Sequence, residues 1–265
     1  MPPVITLTTD FGLADPFVGI MKGVILNILP SARLVDVTHQ IEPQNILQAA
    51  LVLKAAHAYF PKNTVHLVVV DPGVGGERRP IAVKTGTAVF VAPDNGILTS
   101  VLCRRAQAYE LTNKKYFLKN PSSTFHGRDI FAPASAWIAR GTPLSKLGRK
   151  ITDPETLELA RPVLKQGIIS GEVIYIDRFG NLTTNITQDL LNSTLPQADS
   201  FSVKLGGKQV SGLVSSYSRC KRGTLGCLIN SWDHLEIFRR EASAAEMLKA
   251  RVGQKVTVVK VKSKK

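Results

Sequence analysis

At 265 residues the chain is long enough for one large domain or two smaller ones. Its 44% hydrophobic and 20% charged residues suit a folded chain with a full core. No apolar run approaches the roughly 18–20 residues that span a bilayer. The opening Met1-Pro2-Pro3-Val4-Ile5-Thr6 carries no basic start and no small-residue cleavage site. We therefore expect no membrane span, no signal peptide and a cytoplasmic setting. The net charge of +14 invites a nucleic-acid reading. Against it, the excess is scattered, aromatics are 6%, and no recognition motif is present. The charge reads as a basic solvated surface, ending in a short basic run to Lys265. Cys103, Cys220 and Cys227 are odd in number and not in metal spacing, as reduced thiols would be.

In chain order, Val4–Thr8 reads as a strand running into Thr9-Asp10-Phe11-Gly12. A helix follows from about Pro16, with Asp15 as its expected cap. Its apolar face would be Phe17, Ile20, Met21, Val24, Ile25 and Ile28, and Pro30 stops it. Residues 33–39 form a second strand, and Pro43 opens a second helix to about Tyr59 with Ile46, Ala49, Ala50 and Leu53 inward.

Leu67-Val68-Val69-Val70 then runs straight into Asp71-Pro72-Gly73-Val74-Gly75-Gly76. An apolar run of this kind is a strand buried on both faces. Asp71 falls at its carboxyl end, where open α/β sheets bind ligands, and Arg78 can fold back to face it. Strands near 81–83 and 88–92 lead to Pro93-Asp94-Asn95-Gly96 and an expected helix over 97–105. Ser123-Thr124-Phe125-His126-Gly127-Arg128-Asp129 precedes another helix, striped by Ile130, Phe131, Ala134, Trp137 and Ile138 and closed by Gly141. That order puts His126 at a helix N-terminus.

Residues 144–166 are prolines, lysines and short polar pieces, and we expect the domain boundary at their end. Domains of 1–166 and 167–265 follow. The second holds short strand candidates at 171–176, 182–186, 201–205, 208–213, 227–229, 235–238 and 255–261, with one helix at 241–250. Regular short strands with turn signals suggest a small β-barrel or sandwich. The alternation before them points to an α/β domain with a mostly parallel sheet.

The loop groups Asp10, Asp71, Arg78, Asp94, Asn95, His126, Arg128 and Asp129 can converge on one sheet edge. Three chemistries fit them. Asp10, Asp71, His126 and Asp129 could ligate a metal, but they lack a recognised spacing and two arginines stand beside them. Gly73–Gly76 could cradle phosphate, but it matches neither GxxxxGK[ST] nor GxGxxG. An Asp–Arg–His group could instead handle water without metal: Arg78 favours hydroxide, Asp71 orients it, and His126 accepts or relays the proton.

Six motifs carry a family resemblance: Thr8–Gly12, Val70–Gly75, Ala92–Gly96, Thr124–Asp129, Asp177-Arg178-Phe179-Gly180-Asn181 and Asn230-Ser231. In order and over residues 4 to about 260, they resemble the S-adenosyl-L-methionine hydroxide adenosyltransferases, relatives of the fluorinase and chlorinase. The resemblance implies an N-terminal α/β domain and a C-terminal β-barrel. It implies attack of water or hydroxide on the ribose C5′ of S-adenosylmethionine, giving adenosine and methionine, with no cofactor and no metal. The family's triad falls on Asp71, Arg78 and His126. The halide-using relatives have tyrosine at one or both of the positions of Asp71 and His126, and the fluorinase has an insertion before the strand near Ala88 that this chain lacks. Both differences point to water as the nucleophile.

The resemblance carries Asp10 to the ribose hydroxyls and Phe125 to the reacting centre. Asp177, Phe179, Asn181 and Ser231 go to methionine and adenine, and Tyr217 to adenine stacking. Asn95 joins the expected substrate-binding set. Trp232 and Gln44 stand where the fluorinase has an arginine and a tryptophan. A homotrimer is implied, with each site between one subunit's α/β domain and the next subunit's barrel. A binding protein that captures the ligand without turning it over remains the alternative.

Overall fold

The structure, a computed structural model, describes residues 2–194 and 201–261; the basic run 262–265 lies outside the described residues. The chain divides into two compact units, Met1–Leu157 and Glu158–Lys265.

The first unit is built on seven strands: β1 (Val4–Thr9), β2 (Arg33–Thr38), β3 (Thr64–Val69), β4 (Pro80–Lys84), β5 (Ala88–Pro93), β6 (Gln107–Leu111) and β7 (Gly148–Ile151). Their order is β2-β1-β3-β5-β4-β6-β7. β2, β1, β3 and β5 pair in parallel, and β4, β6 and β7 extend the sheet antiparallel. β3 is buried at every position. Its Val65, Leu67 and Val69 join the core beneath α1 (Phe17–Ile28) and α3 (Ala132–Ala139), while Val68 and Val70 join a second core with Ala49 and Leu53 of α2 (Ile46–Ala56). One strand thus glues helices to both faces, which is why its sequence reads as a continuous apolar run.

Several local expectations shift. Helix α1 buries Val18, Met21 and Ile25 and leaves Phe17 and Ile20 exposed, so the buried stripe is rotated toward Val18. Asp15 does not cap it; Pro16 holds the N-cap position without a side-chain bond. Helix α2 starts at Ile46, where Asn45 Oδ1 accepts from Gln48 N at 2.9 Å, rather than at Pro43. No helix forms over 97–105. Gly96 sits at φ +89, and Thr99 Oγ1 donates to the Gly96 carbonyl at 2.6 Å, so the segment folds as turns. A π-helical turn, Gly127–Phe131, precedes α3. Strand β7 lies inside the stretch 144–166, where no strand is expected. Its Arg149 and Lys150 are exposed, as suits a charged edge strand. A Cβ at Gly148 would collide with the Glu110 carbonyl of β6, so only glycine lets these strands approach.

The second unit is antiparallel throughout: β8 (Val163–Lys165), β9 (Ile168–Ile176), β10 (Leu182–Thr187), β11 (Phe201–Leu205), β12 (Lys208–Ser211), β13 (Leu225–Ile229), β14 (His234–Arg239) and β15 (Lys255–Lys260). The order is β12-β11-β15-β9-β10-β14-β13, with β8 on β9. The two end strands meet, Val214 N donating to Cys227 O at 2.9 Å just past β12, so the sheet is nearly closed. Ile169, Val173, Phe201, Val203, Leu235, Ile237, Val256 and Val258 fill its interior. Because β8 pairs with β9, this unit begins ahead of residue 167. Two α-helices form among its described residues rather than the one expected: Gln188–Thr194 follows β10, and the helix expected at 241–250 is shorter, Ala244–Leu248, capped by Ser243 and ended by Lys249 in the left-handed region. Among the described residues no helix is long and apolar enough to cross a membrane.

Candidate active site

The parallel strands β1 and β3 deliver their carboxyl ends to the same edge. β3 stops at Val69, and the loop 71–78 turns back through Val74 N to Asp71 O (3.2 Å) and Gly76 N to Gly73 O (3.0 Å). Gly75 has φ +78, and a Cβ there would meet the Ser123 carbonyl, so this loop packs directly on the segment leading to His126.

Arg78 folds back as expected. Its Nε donates to Asp71 Oδ1 at 2.9 Å and its Nη2 to Oδ2 at 2.5 Å, a two-pronged contact. The same Nη2 donates to His126 Nδ1 at 2.7 Å. The Arg78 and Asp71 side chains are 9% and 5% exposed. Behind them the guanidinium lies 5.3 Å from the Phe131 ring centroid. The three residues are therefore one cluster drawn from two loops, with Asp71 and Arg78 buried at the side chain and His126 half-buried.

His126 is placed by its neighbours. Asp129 accepts from Ser122 N (2.8 Å) and Ser122 Oγ (2.9 Å), and Ser122 Oγ accepts from Phe125 N. Arg128 Nε in turn donates to Asp129 Oδ1 at 2.6 Å. Arg128 and Asp129 thus pin the loop and stand outside the triad. A guanidinium can only donate, so His126 Nδ1 accepts, and the ring is neutral with its hydrogen on Nε2. Burial and then the Arg78 charge push the His126 pKa down, against Asp71, Asp129 and a hydrogen bond to the Ser122 backbone. The expected proton-accepting lone pair is already occupied. In this geometry His126 orients the guanidinium.

Asp71 and His126 open onto a cavity of about 220 Å³ walled by Phe11, Phe17, Val69, Val74 and Phe125. The three phenylalanines meet edge to face at 5.2–5.9 Å between centroids. Phe17 was expected only as helix face, yet its exposed side forms this wall.

The other expected contacts divide between the units. Asp10 Oδ2 accepts from Gln44 N at 2.8 Å, and Asp10 is not in the cavity wall. Asn95 has both ends of its amide on backbone: Nδ2 to Val70 O (3.0 Å) and Oδ1 from Ile97 N (3.2 Å). In the second unit Asp177 accepts from Phe179 N (2.9 Å), Asn181 N (2.8 Å) and Asn181 Nδ2 (3.0 Å), which leaves Phe179 76% exposed. Asp177, Phe179, Asn181 and Tyr217 border a cavity of about 570 Å³. Asp177, Tyr217 and Ser231 also border one of about 440 Å³, with Trp232.

Sequence reasoning missed Glu236 in that second cavity. It is 5% exposed, accepts from Tyr217 Oη (2.8 Å) and Asn230 Nδ2 (3.1 Å), and has its pKa raised, first by burial. A charged residue amid the apolar β14 was the available signal. Among the described residues no group of three or more His, Cys, Asp or Glu gathers as metal ligands would. Of the four ligands weighed, Asp71 pairs with Arg78 and Asp129 with Arg128.

Together the fold and the site define a two-domain protein, α/β then β-barrel, with an Asp–Arg–His cluster at a small, mostly apolar cavity. Residues 5–148 match the SAM hydroxide adenosyltransferase N-terminal domain, and residues 171–257 the C-terminal domain. The chain belongs to the SAM hydroxide adenosyltransferase family. It is 36% identical to an (R)-S-adenosyl-L-methionine hydrolase of Salinispora tropica, covering 97% of each chain. To the protein of the same name from Methanocaldococcus jannaschii it is 37% identical, covering 92% of this chain and 91% of the relative. A fluorinase of Actinoplanes sp. is 30% identical, over 97% and 98%. An uncharacterized conserved protein from Thermotoga maritima superposes with a TM-score of 0.89 at 39% identity, over 96% of this chain and 99% of that one.

Proposed function

We propose that the protein hydrolyses S-adenosyl-L-methionine, using water at the ribose C5′ to give adenosine and L-methionine. The observation that carries this is the Arg78-bridged Asp71 and His126 at the wall of a mostly apolar cavity. The relatives' names add a sulfur epimer, and we propose the (R) form as substrate here too.

The chemistry asks little of the protein at the leaving group. Sulfur departs from a sulfonium as a neutral thioether, so no acid is needed. The C5′–O bond forms as the C5′–S bond breaks, its electron pair going to sulfur. Water then sheds a proton, and Asp71 is the acceptor in the wall. Its carboxylate has lone pairs beyond those Arg78 uses. Arg78 aims that carboxylate, and His126 holds Arg78. Phenylalanine and valine walls give the water few competing partners, which favours a reaction that lowers charge separation. No cofactor enters this scheme, and we propose none. The three free thiols support a reducing, cytoplasmic setting.

The test is incubation with each sulfur epimer in heavy-oxygen water. We expect adenosine labelled at its 5′ oxygen, from the (R) epimer, and no loss of rate with a chelator. Tight binding with intact ligand would instead support the capture-only alternative. Unlabelled adenosine would remove water as nucleophile, and activity lost to chelator and restored by metal would revive the metal reading.

We further propose a homotrimer in which each site joins one subunit's α/β unit to the next subunit's barrel. Two observations support it. The first-unit cavity, about 220 Å³, is below the roughly 300 Å³ at which small-molecule sites begin. The remaining expected contacts, Asp177, Phe179, Asn181, Tyr217 and Ser231, all lie in the second unit. Sedimentation equilibrium is expected to give three times the chain mass; an active monomer would overturn the shared site.

A further inference from the structure

The turn Pro93-Asp94-Asn95 at the end of β5 is not part of the cavity wall. Yet it is bonded to both stems of the loop that carries Asp71 and Arg78. At the entry, Asn95 Nδ2 donates to the carbonyl of Val70, the residue before Asp71, at 3.0 Å. At the exit, Asp94 N donates to the carbonyl of Arg79, the residue after Arg78, at 2.8 Å. Arg79 Nε returns a bond to Asp94 Oδ2 at 2.8 Å.

Strand pairing accounts for only part of this. The β3–β5 ladder ends at Leu67 and Val91, so the Asn95 amide spans a gap that no backbone bond covers. The exit stem continues the β4–β5 ladder beyond Pro80 and Pro93, and the Asp94–Arg79 side-chain bond is additional to it. The turn is itself anchored. The Asp94 side chain is 1% exposed, and its Oδ1 takes Glu155 N at 2.8 Å. Arg79 reaches on to Asp153 Oδ1 (3.0 Å) and the Asp153 carbonyl (2.7 Å), and Asn95 Oδ1 accepts from Ile97 N. All of these groups lie within the unit Met1–Leu157.

We infer that Asp94 and Asn95 are positioning residues, a two-point clamp that sets Asp71 against Arg78 without touching substrate. The inference rests on the function proposed above, which makes that pair act on the nucleophile. Its physical basis is the narrow tolerance of the site. One Arg78 nitrogen serves both Asp71 and His126, at 2.5 and 2.7 Å. A misplacement of about 1 Å at such a centre costs on the order of a hundredfold in rate.

The test uses Asn95→Asp, which keeps the acceptor for Ile97 N and replaces the donor to Val70, and Asp94→Asn as a second near-isosteric variant. Each is expected to lower kcat about 10- to 100-fold with KM little changed. In an Asp71→Ala background, Asn95→Asp should cost no further activity, because the group it positions is gone. The Arg78 Nε–H resonance should exchange with water faster in both clamp variants than in the parent. Parent-like kcat in both variants, or an equal loss with and without Asp71, would overturn the clamp. Were the parent to leave S-adenosylmethionine intact, the proposed function would fall instead. The Arg78 exchange rate would still decide the clamp: unchanged exchange overturns it.

Discussion

Asp71→Asn is expected to lower kcat by about a thousandfold, within the range removed with a positioned general base, while the substrate Kd stays close to the parent value. Asparagine fills the same volume and keeps one oxygen to accept from Arg78 Nε. What it lacks is the charge and the capacity to take a proton. The nearest hydrogen-bonding side chains in the same cluster do not replace it. Arg78 carries no lone pair, and His126 has its Nδ1 facing the guanidinium. The substrate's predicted partners in the second unit are untouched, so binding should survive. Steady-state kinetics with calorimetry separates the two quantities. A raised KM or Kd with unchanged kcat would make Asp71 a binding group and leave the water without its base.

Much of this site was readable because burial leaves a mark on sequence. The run Leu67–Val70 had to be a doubly covered strand, and a carboxylate directly after such a strand had to emerge at its carboxyl edge. The proline and glycines behind Asp71 fixed the turn that lets Arg78 return to it. His126 before a helix followed by the same logic. The losses have a common origin in tertiary hydrogen bonds, which no periodicity encodes. The apparent helix at 97–105 gives way because Thr99 bonds the Gly96 carbonyl and receives Leu157 N from a distant segment. Strand β7 hides behind Arg149 and Lys150, whose exposure at a sheet edge erases the apolar alternation. Asn95, grouped with substrate contacts by its place after a strand, turns its amide inward to Val70. The protonated nitrogen of His126 is likewise set by which neighbour donates, and a sequence carries no direction for that bond.

Arg78→Met is expected to abolish turnover and also to destabilise the fold by about 3–5 kcal/mol, the usual cost of stripping one partner from a buried ion pair. Methionine keeps an unbranched stem and gives up the guanidinium's contact with the Phe131 ring, a smaller term than Asp71, left 5% exposed with no counter-charge. The double variant Asp71→Asn/Arg78→Met removes that stranded charge. It should recover most of the stability, because an uncharged pair of similar volume no longer carries the desolvation cost. It should recover none of the activity. Urea midpoints on the parent, both single variants and the double variant close the cycle. If Arg78→Met and the double variant unfold alike, Asp71 is not the stranded charge, and the ion pair is not what holds this loop. If stability returns as expected while turnover does not, the two roles of the pair come apart. Neutral side chains can then fill the space, but only the charged pair can take a proton from water at that wall.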